Sequence, residues 1–93
     1  AVRLNASHVE PGEALIMFGA PLIDNAEAAH VTLQLSKTAD TAEAASRLYD
    51  VMKQADQSGA SAIAVTPIPH DGIGEAINDR LARAAAPRPK DYD

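Results

Sequence analysis

Apolar and polar positions follow two different periods along this chain, and the change of period divides it into strands and helices. Ala14-Leu15-Ile16-Met17-Phe18 is a continuous apolar run bounded by Gly12 and Gly19, the pattern of a strand buried on both faces. From His30 to Ser36 the pattern alternates, with Val31, Leu33 and Leu35 on one side and Thr32 and Gln34 on the other, which predicts a half-buried strand. Ser61 to Thr66 holds a further short buried strand around Ala62-Ile63-Ala64-Val65, stopped by Pro67 and Pro69. Residues 1–12 read as a linker or as a short edge strand at Val2 to Leu4, followed by the Pro11-Gly12 turn. Ala20 to Ala29 reads as a connection with one helical turn.

Between these strands the period lengthens. Ala45, Leu48, Met52 and Ala55 recur at helical spacing, and Val51 widens the stripe. Asp40 stands where an N-cap belongs, and Glu43 three residues later completes an Asp variant of the capping box. Glu43 and Arg47 are spaced as an i,i+4 ion pair on the wet side. Ser58-Gly59 ends this helix, with Gly59 free to take the left-handed conformation. A second helix is predicted from Ile73 to Ala86, with Ile73, Ile77, Leu81 and Ala84 as its stripe and Asp79 and Arg83 as an exposed pair. Pro87 and Pro89 end it, and residues 87–93 read as a flexible tail. The order strand, helix, strand, helix implies a right-handed crossover onto a parallel sheet. The expected architecture is therefore a small α/β domain with a mostly parallel sheet of three or four short strands and flanking helices.

Composition narrows the function more than the fold. The 93 residues make one domain, 1–93, with one modest core. Aromatic residues are only 3% of the chain, so aliphatic side chains and alanine must build that core, and modest stability is expected. The absence of cysteine excludes disulfides and thiolate metal sites and suits a reducing, cytoplasmic setting. No apolar run approaches the roughly 20 residues of a membrane span, and the first residues lack the pattern of a signal peptide. No methionine opens the chain, as expected of a piece of a longer protein. A net charge of −5 repels phosphate backbones, and the densest cations, Arg80, Arg83, Arg88 and Lys90, are interleaved with Asp79, Asp91 and Asp93, so no direct nucleic-acid grip is expected.

The candidate chemistry is thin. His8, His30 and His70 do not stand at metal-ligand spacing, and no nucleophile–base pairing is suggested around them. The most informative stretch is Pro67-Ile68-Pro69-His70-Asp71-Gly72-Ile73-Gly74-Glu75-Ala76, which leads from a strand end into a helix N-terminus. Unpaired N–H groups and the helix dipole there are able to receive an anion, at the edge of the sheet where ligands of open α/β folds bind. Against this, Ile77 occupies the third glycine position of the dinucleotide fingerprint, and no P-loop lysine follows. Asp71 as a cap, with Gly72 and Gly74 allowing a tight turn, is the simpler reading. Arg80 is a second contact candidate, and Tyr49 is either an interface anchor or a partly buried helix tyrosine.

Taken in order, Ala45-x-x-Leu48-Tyr49-x-x-Met52-x-x-x-Asp56-x-x-Gly59, then Ala62-Ile63-Ala64-Val65, then Gly72-Ile73-Gly74-Glu75-Ala76-Ile77-Asn78-Asp79-Arg80-Leu81-x-x-Ala84 form a distinctive set. With the Pro11-Gly12-Glu13-Ala14-Leu15 turn and strand, they resemble the C-terminal domain of two-domain threonylcarbamoyl-AMP synthases, historically described as translation factors. The resemblance covers nearly the whole chain. It implies a small Rossmann-like, three-layer accessory domain in a nucleotidyltransferase that makes threonylcarbamoyl-AMP from L-threonine, bicarbonate and ATP for tRNA N6-threonylcarbamoyladenosine modification. In that family a YrdC-type domain upstream in the same polypeptide is catalytic, and a His-Tyr-Ala-Pro linker closes over its site. Ala6-Ser7-His8 matches the approach to that motif, but Val9-Glu10-Pro11 follows, so no catalytic residue carries over.

The resemblance thus implies a chain that is no enzyme alone and holds no cofactor, ATP and a candidate magnesium ion belonging to the parent enzyme. Its partner would be the YrdC-type domain, with other tRNA-modification proteins as further candidates. The expected contact residues are Asp71, Gly72, Ile73, Gly74, Glu75 and Arg80. The alternative is a stand-alone nucleotide- or phosphate-binding α/β module using the helix N-termini.

Overall fold

The computed structural model describes residues 2–85. Four strands, β1 (Val2–Arg3), β2 (Glu13–Phe18), β3 (Val31–Ser36) and β4 (Ala62–Val65), form one sheet in the order β1-β4-β2-β3. Every pairing is parallel, with Leu15 opposite Thr32 on one side and Ala64 on the other. The two helices are α1 (Thr41–Gln57) and α2 (Ile73–Ala85), and a single 3-10 turn occupies Ala26–Ala28. The strands and helices lie where the periodicity placed them, and the sheet is wholly parallel; the last helical position expected at Ala86 and the tail expected at 87–93 lie outside the described residues.

Parallel neighbours cannot be joined by a tight turn, so every connection must cross a face of the sheet. The β3–α1–β4 connection and α2 cover one face. There Ala14, Ile16 and Phe18 of β2, Leu35 of β3, and Ile63 and Val65 of β4 pack against Leu48, Val51, Ile77 and Leu81. The other face is covered without any α-helix. Ala6 and Val9 from the β1–β2 connection and Ile23, Ala26 and Ala29 from the β2–β3 connection close over Leu15, Met17 and Ala64. The third layer is thus two loops and a 3-10 turn, and both long helices share one side. Val9 N–H donates to Asp24 O at 3.0 Å and Asp24 N–H donates to Ser7 O at 3.0 Å, stitching the two covering segments together.

Two expectations about α1 are corrected. Its buried face is Ala44, Leu48, Val51 and Ala55, while Ala45 is exposed and Met52 half-buried. Glu43 does not pair with Arg47; its carboxylate accepts from Ser36 Oγ at 2.5 Å. Asp40 caps the helix as expected, accepting from Ala42 N–H (2.9 Å) and Glu43 N–H (3.3 Å). The reciprocal half of the box passes through Ser36, whose hydroxyl accepts from Asp40 N–H at 2.9 Å while donating to Glu43. Ser36 is buried because the β2–β3 register slips at Met17/Phe18, so Phe18 pairs with Ser36 and both Leu35 and Ser36 turn inward. The Gln34 amide fills the irregularity, accepting from Ser36 N–H and donating to Gly19 O.

At the opposite edge Glu13 is buried where β2 begins, and Arg3 of β1 reaches it across the intervening β4 with a two-pronged ion pair of 2.6 and 3.3 Å. Glu10 N–H also donates to Glu13 at 2.8 Å. The hydrogen bond from Arg3 holds the Glu13 carboxyl below the usual glutamate value, against the opposing effect of burial. A carboxylate whose pKa falls on folding stabilises above its unfolded value, and that stability is lost as pH falls through the folded value. Glu13→Gln should therefore cost about 1.5–3 kcal/mol at neutral pH, the worth of hydrogen bonds to charged groups. The gap between wild type and variant should narrow as the medium is acidified below about pH 4. Urea unfolding midpoints across that range are the check; a gap that stays constant removes the linkage.

Candidate functional site

The carboxyl edge of the sheet brings together the ends of β3 and β4 and the N-termini of both helices. They are close: a Cβ added at Gly74 would lie 3.5 Å from Thr41 Cγ2. Along this edge stand the exposed carboxylates Asp40, Glu43, Asp71 and Glu75, which complement the positive helix ends from within the chain.

The turn Asp71–Glu75 is built as a close-packed joint. Gly74 is buried, and a Cβ there would fall 2.1 Å from the Pro69 carbonyl oxygen. Gly74 N–H donates to Asp71 O at 3.0 Å and Glu75 N–H donates to Gly72 O at 3.2 Å, so these two donors are already used inside the turn. Gly72 takes a left-handed φ of +54° with open space around it. Asn78 locks the arrangement, its Nδ2 donating to Ile68 O (2.9 Å), Pro69 O (3.1 Å) and Gly74 O (3.0 Å). The candidates thus separate by role. Asp71, Gly72, Ile73 and Glu75 are exposed, whereas Gly74 is a packing residue that lets α2 approach the β4–α2 loop. Ile73, predicted on the buried stripe, is 47% exposed because Gly74 takes the inward position.

Arg80 lies elsewhere. On the outer side of the helical layer, α1 and α2 leave a groove of about 210 Å³ between them. Helix α1 contributes Ala45, Leu48, Tyr49 and Met52; α2 contributes Arg80, Leu81 and Ala84. The floor is aliphatic. Its aromatic member, Tyr49, is 72% exposed, so this tyrosine is not a core residue. Among the described residues Arg80 enters no ion pair, unlike Arg83, which bonds Asp79 one turn along the helix as expected.

Two of the three histidines make local contacts. His8 pairs with Glu10 at 2.9 Å, and His30 Nε2 lies 2.7 Å from Ser58 O at the end of α1. His70 is exposed in the β4–α2 loop. Among the described residues no three His, Asp or Glu side chains gather as a metal site would require.

Two features escaped the sequence reading. Asn78 is a polar position four residues after Gly74, and that spacing was the available signal for a side chain returning to the loop. The groove had no such signal, because its walls come from helices separated in sequence by β4.

This architecture is an all-parallel α/β domain with an open apolar groove between α1 and α2 and closely packed helix N-termini. Residues 4–86 match the family described as "Threonylcarbamoyl-AMP synthase, C-terminal domain", and the chain belongs to that family. No curated protein and no solved structure matches it.

Replacing Gly74 by alanine forces the Pro69 carbonyl and the α2 N-terminus apart. Gly74→Ala should destabilise the domain by about 2–4 kcal/mol, the range of strongly strained substitutions. Gly72→Ala should cost no more than about 1 kcal/mol, the penalty of a left-handed alanine in open space. Thermal or urea denaturation of both variants checks the order, and equal losses would contradict the packing role of Gly74.

Proposed function

We propose that this chain is an accessory domain of a threonylcarbamoyl-AMP synthase that docks through its helical layer on the upstream YrdC-type catalytic domain and modulates it. In this reading the parent enzyme makes threonylcarbamoyl-AMP from L-threonine, bicarbonate and ATP, in the cytoplasm, for tRNA modification. Substrates, ATP and any magnesium belong to the catalytic partner. The observation that carries the docking is the α1–α2 groove, where Tyr49 stands mostly exposed beside an aliphatic floor and Arg80. Aromatic and arginine side chains around a shallow apolar centre are the usual anchors of protein interfaces. The family match supports a catalytic-domain partner, since the family is a domain of a larger synthase. Asp71, Gly72, Ile73 and Glu75 form a second exposed contact region at the N-terminus of α2.

The alternative, a stand-alone phosphate-binding module, is less well supported. Ala42 and Glu43 N–H groups of α1 are bonded to Asp40, and those of Gly74 and Glu75 to the turn. Four carboxylates line the same edge and oppose an incoming anion.

The test uses the full two-domain synthase together with its separately expressed catalytic domain. Tyr49→Ser and Arg80→Ala should each weaken capture of the catalytic domain by about 2 kcal/mol, roughly thirtyfold in Kd, and change the kcat of the full enzyme. Asp71→Ala with Glu75→Ala asks whether the turn joins the interface. Unchanged affinity and kinetics in both groove variants would rule out this docking surface.

A further inference from the structure

We propose that residues 2–10 form a releasable strap, pinned by the single carboxylate of Glu13, whose seating against α2 regulates the α1–α2 groove; the regulatory half rests on the docking reading above. The ladder that holds β1 is short, with Val2 opposite Ile63 and Arg3 opposite Ala64. Beyond it Ala6 and Val9 are buried, while Asn5, Ser7, His8 and Glu10 are exposed. Asn5 turns the chain away from β1 with a left-handed φ of +54°, a conformation that strains a residue carrying a Cβ. The main-chain ties are Ala6 N–H to Val65 O at 2.9 Å, Val9 N–H to Asp24 O at 3.0 Å and Asp24 N–H to Ser7 O at 3.0 Å.

Both ends of the segment converge on Glu13. Arg3 Nη2 donates to Glu13 Oε1 at 2.6 Å and Arg3 Nε to Oε2 at 3.3 Å, while Glu10 N–H donates to the same Oε1 at 2.8 Å. Arg3 Nη2 also donates to His8 O at 3.0 Å, and the His8 ring meets the Glu10 carboxylate at 2.9 Å. The two ends are thus joined to each other as well as to the pin. Loss of one carboxylate removes the hold on both together, which is the condition for opening as a unit rather than by fraying. An opened strap uncovers Leu15, Met17 and Ala64 on the face that loops cover. It also withdraws Val2 and Leu4 from the cluster they share with Ile77 and Leu81 of α2. Strand β1 touches α2, and Leu81 is also part of the groove lining. A partner that needs α2 seated therefore binds the strapped form, and its binding must in turn hold the strap shut.

Native-state hydrogen exchange on the full chain tests the unit. The amides of Ala6, Val9, Glu10 and Asp24 should share one opening that scarcely responds to low urea, whereas Val51 of α1 should exchange through global unfolding with the full urea dependence. Glu13→Gln should speed all four by about tenfold or more. Arg3→Lys, which keeps the charge and loses the two-pronged bond, should speed them by a smaller factor. Four unrelated rates, acceleration of Glu10 alone, or strap amides that open only together with Val51 overturn the strap. Separately expressed catalytic domain, at about ten times its Kd, should slow the four amides roughly tenfold. Tyr49→Ser should remove most of that slowing at the same concentration. Slowing that survives Tyr49→Ser means direct contact with the strap and overturns its link to the groove, as does binding that leaves the exchange unaltered. If the catalytic domain does not bind at all, the docking reading fails by itself, and the strap is decided by exchange in the chain alone.

Discussion

The central strand Glu13–Phe18 is hydrogen-bonded along both edges and buried on both faces, and most of the architecture answers that one constraint. Ala14, Leu15 and Ile16 are fully inaccessible, which requires a cover on each side of a sheet only four strands wide. Parallel pairing supplies the covers, because each connection must cross a face to bring the next strand in the same direction. Among the described residues both long helices lie on one side. The other side is closed by loop segments that hold each other through main-chain hydrogen bonds. Arg3 and Glu13 then fasten β1 to the start of the central strand, so a two-residue edge strand is retained by an ion pair as well as by its ladder.

The same economy shapes the functional surface. In a larger doubly wound domain, free N–H groups at helix N-termini face a crevice and receive phosphate. Here several of those donors are used within the fold. Asp40 accepts from the Ala42 and Glu43 N–H groups at the start of α1, and the Asp71 and Gly72 carbonyls accept from Gly74 and Glu75 N–H at the start of α2. Among the described residues an open seam lies between the helices on the outer side. Two helices whose inward residues are as small as Ala44 and Gly74 sit close to the sheet. Their outward flanks leave a groove lined by Ala45, Leu48, Tyr49 and Met52 of α1 and by Arg80, Leu81 and Ala84 of α2. The accessory role we propose draws on this distribution: a carboxylate-lined edge and an exposed apolar seam.

Periodicity alone separated strands from helices, because burial on two faces, burial on one face and burial on a stripe leave different spacings of apolar residues. It placed the cap at Asp40 and the stops at Gly59 and Pro67, where local stereochemistry decides. The centre of the α1 stripe was harder to read, since Ala44 and Ala45 are equivalent by type and only the angle at which α1 crosses the sheet selects Ala44. Likewise, Glu43 is correctly spaced for Arg47, yet a register slip in β3 presents the Ser36 hydroxyl and removes it from that pairing. The candidate turn Asp71–Glu75 was visible as a glycine-rich strand-to-helix passage. Its occupancy was not, because the Pro69 carbonyl and the Asn78 amide meet Gly74 only after α2 has packed.

By itself, then, the sequence determined the α/β class, the order of the main strands and helices, and the membership suggested by its ordered blocks. These depend on local spacing and on residues adjacent along the chain. The tertiary structure decided which face of α1 is buried, that both helices lie on one side, that Gly74 packs against the Pro69 carbonyl, and that an apolar groove lies between Tyr49 and Arg80. These depend on side chains that approach one another only when β4 inserts beside the central strand and draws α2 against α1.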